Sequence, residues 1–167
     1  MLVSVVTVCL VLAGAAAAAQ PIAISSPAFN DGGDIPLKFT CDGSDTSPAL
    51  KIANIPATAK SLVLIMEDPD APGGLFTHWL VWNVDPKTSS VAENASGGGT
   101  IGRNDFGKSG YGGPCPPSGS HRYVFRVFAL DRQLGLAGGA TRKQIDQAIK
   151  GHVVGEGELT GRYGRKN

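Results

Sequence analysis

The chain has 167 residues, of which 15 are basic and 14 acidic, and its formal net charge at pH 7 is +1. A nearly neutral chain without a basic block lacks the charge distribution of nucleic-acid-binding proteins, so we expect no nucleic acid partner. The length suits one domain, which can bury a hydrophobic core without metal ions. We expect no metal ion and no cofactor.

The N-terminus has the pattern of a secretory signal. The first nineteen residues carry no charged side chain, run apolar over Leu2–Leu12 and end in Ala15–Ala19. Because no Lys or Arg precedes the apolar core, a retained membrane anchor is an alternative, although this segment is at the lower length limit for a span. We expect residues 1–19 to be a cleaved signal peptide. Residues 20–167 would then form a single periplasmic or secreted domain, without stable membrane insertion.

Strand signals dominate the rest of the chain. Six runs of β-branched, aromatic and other apolar residues are separated by Gly, Pro, Asn and Asp. These runs are Ile22–Ser25, Leu37–Thr40, Leu62–Met66, His78–Val84, Tyr123–Leu130 and Glu158–Tyr163. Within the fourth run, Trp79–Val84 is apolar on both faces, which indicates a central strand that is covered on both sides.

One helix is predicted near residues 141–150. Thr141 and Gln144 have the spacing of a capping box, an apolar stripe follows, and Gly151 ends the segment. Many strands without alternating helices indicate a mainly β fold. We therefore predict an antiparallel, Greek-key-like β-sandwich with one or two short helices.

Two cysteines follow the predicted signal peptide, Cys41 and Cys115. An even number of cysteines in a chain that is expected to be exported predicts one disulfide bond. The alternative is a pair of buried free thiols.

Polar side chains lie in two proline-stiffened segments next to predicted strands. Asp68 and Asp70 flank Pro69 after one strand, and His78 opens the next. A second segment, Pro114–Pro117, precedes a strand that begins near His121. Because stiff loops at strand ends often carry binding sites, both segments are candidates. Two histidines and two carboxylates also suit zinc, but no HxH or HxxxH spacing supports a metal site.

Five motifs give the chain a family resemblance. DPDAP, HW, NDFG, GYGGPCPP and HRY together resemble the phosphatidylethanolamine-binding protein family, and GYGGPCPP is similar to the form in its bacterial Raf-kinase-inhibitor-like branch. The resemblance runs from about Ile24 to Gly164 and implies a β-sandwich with a small anion-binding pocket. The ligand-binding residues that it implies are Asp68, Asp70, His78, Gly113, Pro114, His121 and Tyr123.

The chemistry of these residues suits an anion. A protonated imidazole, a hydroxyl group and backbone amides would donate hydrogen bonds, while Asp68 would orient a neighbouring histidine. Asp68 would repel an anion unless a proton is shared, so we expect binding to depend on pH. For Asp70 we favour a structural role, because a short acid in such a turn often accepts hydrogen bonds from its own backbone amides.

The glycine-rich segment from 96 to 120 contains a misleading pattern. Gly102–Ser109 matches GxxxxGK[ST], the pattern of phosphate-binding loops. That mechanism needs a buried strand before the loop and a helix after it, and the flanking sequence favours neither. We therefore expect no nucleotide binding here. A connection of this length in a compact domain is usually functional.

The favoured function is an exported, non-enzymatic binding protein for a small anion. The anion would be a phospholipid head group, a phosphoryl group or a carboxylate, and an unidentified protein partner is compatible with this function. One alternative is a hydrolase that uses Asp68 and His121 as an acid–base pair, although no nucleophile is evident. Another is a protein inhibitor that acts through the glycine-rich loop.

Overall fold

The computed structural model of the chain describes residues 19–165. The predicted signal peptide therefore lies outside the described residues, apart from Ala19. No helix in the described part of the chain is long and apolar enough to cross a membrane.

Residues 19–165 form nine strands, one α-helix and one short 3-10 helix. The strands are β1 Gln20–Pro21, β2 Ala23–Ser25, β3 Leu50–Ala53, β4 Ser61–Asp68, β5 Phe76–Val84, β6 Ser90–Val91, β7 Thr100–Ile101, β8 Ser120–Leu130 and β9 Val153–Gly164. The α-helix, α1, spans Arg142–Ile149, and the 3-10 helix spans Leu37–Phe39.

The strands form two sheets. The larger has the order β1-β9-β8-β4-β5-β7, and the smaller has the order β2-β3-β6. Neighbouring strands are antiparallel except for β1 and β9. The chain leaves the larger sheet at Ile22, between β1 and β2, and enters the smaller one. The predicted mainly β, antiparallel sandwich is confirmed.

The larger sheet is covered on both faces. On β5, Trp79 and Val81 belong to the core between the sheets, whereas Leu80 and Trp82 belong to a second core beneath α1. The two cores alternate along β5 because successive side chains of a strand point to opposite faces. The prediction that Trp79–Val84 is buried on both faces is confirmed.

The helix forms where its capping signals predict. The side-chain oxygen of Gln144 accepts hydrogen bonds from the backbone N–H and the hydroxyl of Thr141, at 2.9 and 3.0 Å. Ile145 and Ile149 are buried against the larger sheet. Gly151 then adopts a φ of +80°, a left-handed conformation that glycine tolerates best.

The predicted strand Leu37–Thr40 is wrong. The backbone N–H groups of Phe39 and Thr40 donate to carbonyls three residues earlier, at 2.9 and 3.1 Å, and so form a 3-10 turn. The Phe39 ring is buried in the core, and its carbonyl accepts a 2.7 Å hydrogen bond from the Tyr111 hydroxyl. These tertiary contacts outweigh the β propensity of the segment.

Cys41 and Cys115 lie at bonding distance, with 5.4 Å between their Cα atoms, as the sequence predicts. The disulfide joins the turn after the 3-10 helix to the glycine-rich loop before β8. A long connection between strands is thereby fixed to the body of the sandwich.

Candidate functional site

The candidate site lies at one end of the larger sheet, where β4 ends and β8 begins. Glu67 on β4 lies opposite Val124 on β8, which places the next residue, Asp68, beside Tyr123. Tyr123 belongs to the core between the two sheets. Because alternate residues of a strand share a face, His121 lies on the same side as Tyr123.

A β-bulge brings His78 to this face. Met66 lies opposite Trp79, whereas Glu67 lies opposite Thr77, so His78 is an extra residue in β5. Regular alternation from Trp79 would point His78 toward the face beneath α1. Instead its ring packs edge-on against Tyr123, with 5.2 Å between the ring centroids. The bulge therefore joins residues from three strands in one site.

Asp68 and His121 form a buried pair. The side chains are 5% and 10% exposed, and His121 Nδ1 lies 2.7 Å from Asp68 Oδ2. The other carboxylate oxygen, Oδ1, accepts a 2.8 Å hydrogen bond from the backbone N–H of Asp70. Both oxygens of Asp68 thus have protein donors, and the expected orientation of a histidine by Asp68 is present.

The imidazole of His78 is held by the glycine-rich loop. Its Nδ1 lies 2.7 Å from the carbonyl oxygen of Gly112, which can only accept, so Nδ1 carries the hydrogen. The residue is only 3% exposed. Burial lowers the pKa of His78 below its usual value, although the Gly112 carbonyl and the Asp68 charge favour protonation. His78 is therefore neutral near pH 7.

Tyr123 presents a buried hydroxyl group. The residue is fully buried, and its hydroxyl oxygen makes no hydrogen bond of normal geometry within residues 19–165, although the Asp68 carboxylate and the Cys115 backbone lie close enough to influence its pKa. Burial and the neighbouring Asp68 charge raise the pKa of Tyr123, so its hydroxyl keeps the hydrogen at neutral pH. An unpaired buried hydroxyl costs about 1–3 kcal/mol, a cost that a ligand oxygen would offset.

The glycine-rich loop is docked on the edge of β5. Asp105 and Thr77 exchange two hydrogen bonds of 2.7 and 2.9 Å, and the Gly112 N–H donates to the carbonyl of His78 at 3.0 Å. The buried Asn104 donates to the Gly110 carbonyl and accepts from the Lys108 N–H. These contacts place the carbonyl of Gly112 against the ring of His78.

Gly113 and Pro114 have backbone roles in the described residues. The Gly113 N–H donates to Asp45 at 2.6 Å, and a Cβ at this position would lie only 2.5 Å from the carbonyl oxygen of Phe39. The carbonyl of Pro114 accepts a hydrogen bond from Cys41 N–H at 3.1 Å. The Gly113 N–H and the Pro114 carbonyl are therefore already paired within the protein.

Asp70 lies outside the buried cluster of site residues, and its side chain is 31% exposed. Its carboxylate accepts from the backbone N–H of Arg122 at 2.9 Å and from the guanidinium at 2.9 and 2.6 Å. These hydrogen bonds lower the pKa of Asp70 well below its usual range. The carboxylate of Asp70 thus accepts from an amide of β8, and the expected hydrogen bond to an amide of its own turn is not found within residues 19–165.

The segment Gly102–Ser109 lacks the surroundings of a phosphate-binding loop. Only the two-residue strand β7 precedes it, and no helix begins after it before β8. Lys108 is exposed. Two open clefts of about 560 and 600 Å³ lie beside Asp42 and Arg165 and beside Ser90 and Gly97, and neither site histidine lines them. Within residues 19–165, no group of three potential metal ligands is close enough to hold an ion.

Sequence reasoning missed three parts of this site. It did not identify the bulge, the carbonyl of Gly112 or the aromatic rings that pack against His78. The ring centroids of Phe76 and Phe106 each lie 5.2 Å from that of His78. The NDFG motif contains Phe106 and indicated this loop, but no local sequence pattern predicts which rings the Phe106 side chain contacts.

A β-sandwich with a cluster of buried polar side chains at one end of its larger sheet defines the class of fold and site. The family model for phosphatidylethanolamine-binding protein matches residues 25–164. The chain belongs to the phosphatidylethanolamine-binding protein family, a family of binding proteins. The resemblance seen in the sequence is thereby confirmed.

Relatives and solved structures agree with this membership. A UPF0098 protein of Archaeoglobus fulgidus is 52% identical over 145 residues, which cover 83% of this chain and 50% of that protein, so this chain spans half of that relative. A UPF0098 protein of Methanothermobacter thermautotrophicus is 47% identical over 148 residues, which cover 85% and 98% of the two chains.

Two solved structures have the same fold. The crystal structure of a phosphatidylethanolamine-binding protein homologue from Chlamydia trachomatis has a TM-score of 0.84 and 41% identity, covering 89% of this chain and 100% of that chain. The crystal structure of Escherichia coli YbcL, described as a member of the mammalian family, has a TM-score of 0.81 and 29% identity, covering 87% and 99%.

Proposed function

We propose that this chain is an exported, non-enzymatic protein that binds a small phosphoryl- or carboxylate-bearing ligand. The recess between Asp68, His78, His121 and Tyr123 is the binding site. The observation that carries this proposal is the fully buried Tyr123 hydroxyl without a partner, next to the ring of His78. A ligand oxygen would accept its hydrogen bond.

His121 gives the ligand a second donor. Its Nδ1 is paired with Asp68, and its Nε2 forms no hydrogen bond with residues 19–165. An imidazolium donates from both ring nitrogens, so the protonated ring can bind the Asp68 carboxylate and a ligand anion together. Affinity for an anion is then expected to fall when a rise in pH removes the second ring proton of His121.

Calorimetric titration with phosphate and phosphoethanolamine tests the proposal. His121→Ala should weaken binding at least tenfold, because a charge-assisted hydrogen bond is lost, while the sandwich stays folded. Lys108→Ala is the matched control, since it removes a positive charge from an exposed site in the neighbouring loop. If the parent and His121→Ala bind phosphate and phosphoethanolamine with equal affinity at every pH, these four residues do not form the binding site.

The hydrolase alternative is favoured only by the close Asp68–His121 pair. Such a pair can act as a general base, but hydrolysis by a covalent route also needs a nucleophile. No serine, threonine or cysteine side chain hydrogen-bonds to either site histidine among residues 19–165. Phosphate and carboxylate esters should therefore be bound without turnover. Turnover that Asp68→Asn abolishes would favour the enzyme over the binding protein.

A further inference from the structure

The Cys41–Cys115 disulfide is in contact with a positive charge. The Nη2 atom of Arg165 lies 3.2 Å from the sulfur of each cysteine. Within residues 19–165, this guanidinium is the group that donates hydrogen bonds to the two sulfur atoms. Both cysteines are partly exposed, so the bond lies near the surface and not in the hydrophobic core. A reagent in solution can therefore approach the disulfide.

A carboxylate holds the guanidinium in place. Oδ2 of Asp42 lies 3.0 Å from Nε of Arg165, and Oδ1 lies 3.1 Å from Nη2. The Tyr163 hydroxyl donates a 2.8 Å hydrogen bond to the same carboxylate. The hydrogen bonds from Arg165 and Tyr163 lower the pKa of Asp42, so the carboxylate stays ionised at neutral pH. Asp42 reduces the net positive charge near the disulfide, but Arg165 is the charged group in direct contact with both sulfur atoms.

A guanidinium at this position favours thiol–disulfide exchange. In this reaction a thiolate of an external dithiol attacks one cysteine sulfur, forms a new S–S bond with it and breaks the Cys41–Cys115 bond. The electron pair of the broken bond leaves on the other sulfur as a thiolate. Arg165 contacts both sulfur atoms, so it stabilises this negative charge on either cysteine.

The second sulfur of the reagent completes the exchange. It loses its proton to water and attacks its partner sulfur in the mixed disulfide, which releases the remaining cysteine as a thiolate. The reagent leaves as a disulfide, and two electrons have passed from it to the cysteine pair. A thiolate that Arg165 does not stabilise takes up a proton from water.

Hydrogen bonds pair the two cysteine-bearing segments independently of the covalent bond. The backbone N–H of Cys41 donates to the carbonyl of Pro114 at 3.1 Å, one residue before Cys115. The Tyr111 hydroxyl donates to the carbonyl of Phe39 at 2.7 Å. These contacts keep the reduced thiols close together. Reoxidation is then an intramolecular reaction between groups that are already positioned.

We propose that Cys41–Cys115 is a reversible redox site that exchanges with dithiols, with Arg165 stabilising the thiolate that leaves. The co-reactant is a dithiol, and dithiothreitol represents that class in the test. The inference rests on the two cysteines and Arg165, and it holds whether or not the chain binds an anion.

The rate of reduction of the folded protein by dithiothreitol at pH 7 tests this role of Arg165. Arg165→Gln removes the positive charge, so reduction should slow about threefold for each unit by which the thiol pKa rises, at a Brønsted coefficient of about 0.5. Arg165→Lys keeps the charge and should react at a rate closer to that of the parent. Arg162→Gln is the matched control, because it removes an exposed arginine charge from the same cleft and should leave the rate unchanged.

The thiol pKa of the reduced protein separates charge stabilisation from a structural effect. Ultraviolet absorbance of the thiolate against pH should give a higher thiol pKa in Arg165→Gln than in the parent and in Arg162→Gln. A loss of local packing in Arg165→Gln would instead expose the disulfide and speed its reduction.

Reversibility is measured on the parent protein. After reduction, its circular dichroism should match that of the oxidised protein, and oxidised dithiothreitol should restore the disulfide. Resistance of the bond to dithiothreitol until denaturant is added, or unfolding on reduction, would overturn the redox site. Equal rates and equal thiol pKa values in the parent and Arg165→Gln would overturn the role of Arg165.

Discussion

The buried imidazole of His78 makes the stability of the fold depend on pH. In an unfolded chain its pKa is about 6.5, and burial lowers the pKa in the folded state. As the pH falls below about 6.5, the unfolded state takes up a proton that the folded state resists. The free energy of unfolding should therefore decrease, by up to about 1.4 kcal/mol per pH unit, until folded His78 is protonated.

The variant His78→Asn isolates this contribution, because all other ionisable groups are the same in both proteins. Denaturant unfolding between pH 7.5 and 5 should give a shallower loss of stability on the acid side for His78→Asn than for the parent. If the free energy of unfolding falls equally with pH in both proteins, the pKa of His78 is the same in the folded and unfolded states.

At Asp70 the sign of the pH dependence is the same, but the window lies lower. The pKa of Asp70 is depressed by Arg122, so its contribution is present above the unfolded value of about 4 and is lost as the pH falls toward the folded value. Asp70→Asn should lower the free energy of unfolding at pH 7 by about 1 kcal/mol, since the pair is partly exposed and screened. The difference between parent and variant should shrink below about pH 4, and a difference that grows there would contradict the assignment.

The sequence predicts which residues form the site better than it predicts where their side chains point. Asp68, His78 and His121 are identifiable in the sequence because stiff segments place polar groups at strand ends, and Tyr123 is identifiable through the family resemblance. The sequence does not show that these residues come together, because His78 lies on the same face as the other three only through an extra residue in β5. A bulge is defined by the pairing of two strands, and the sequence of one strand does not specify it.

At the scale of elements, length and local signals decided what was predictable. The long strands β4, β5, β8 and β9 and the capped helix α1 carry strong periodic or capping patterns. The short strands β6 and β7 have two residues each and depend on pairing with a neighbour. Strand β3, which sequence reasoning also missed, does alternate between buried and exposed residues, and its signal was simply short.

The glycine-rich loop is predicted to be inert toward nucleotides. Lys108 is exposed, and its backbone N–H, not its ammonium group, makes the contact with Asn104 that shapes the loop. Lys108→Ala should leave the melting temperature nearly unchanged, and neither protein should bind ATP measurably by calorimetry. Micromolar ATP affinity that disappears in Lys108→Ala would show that the phosphate-loop pattern functions without its usual strand and helix.

At the scale of the whole molecule, the disulfide connects stability to the site. Cys41 and Cys115 are 74 residues apart, and Cys115 follows the backbone that presents the Gly112 carbonyl to His78. Closing a loop of this length is expected to stabilise the fold by about 4 kcal/mol in the chain-entropy model. Thiol titration of the unreduced, denatured protein beginning at Gln20 should find no free thiol, and two free thiols would contradict the bond.

Removing the disulfide should affect the molecule in two separable ways. The double variant Cys41→Ser, Cys115→Ser should lose about 4 kcal/mol of unfolding free energy, which denaturant titration measures. Phosphate affinity, measured where the variant remains fully folded, should also fall, because the loop that fixes the His78 tautomer is held less firmly. Unchanged affinity in the destabilised variant would show that the hydrogen bonds from Asn104, Asp105 and Gly112 to β5 and within the loop position the carbonyl without the covalent bond.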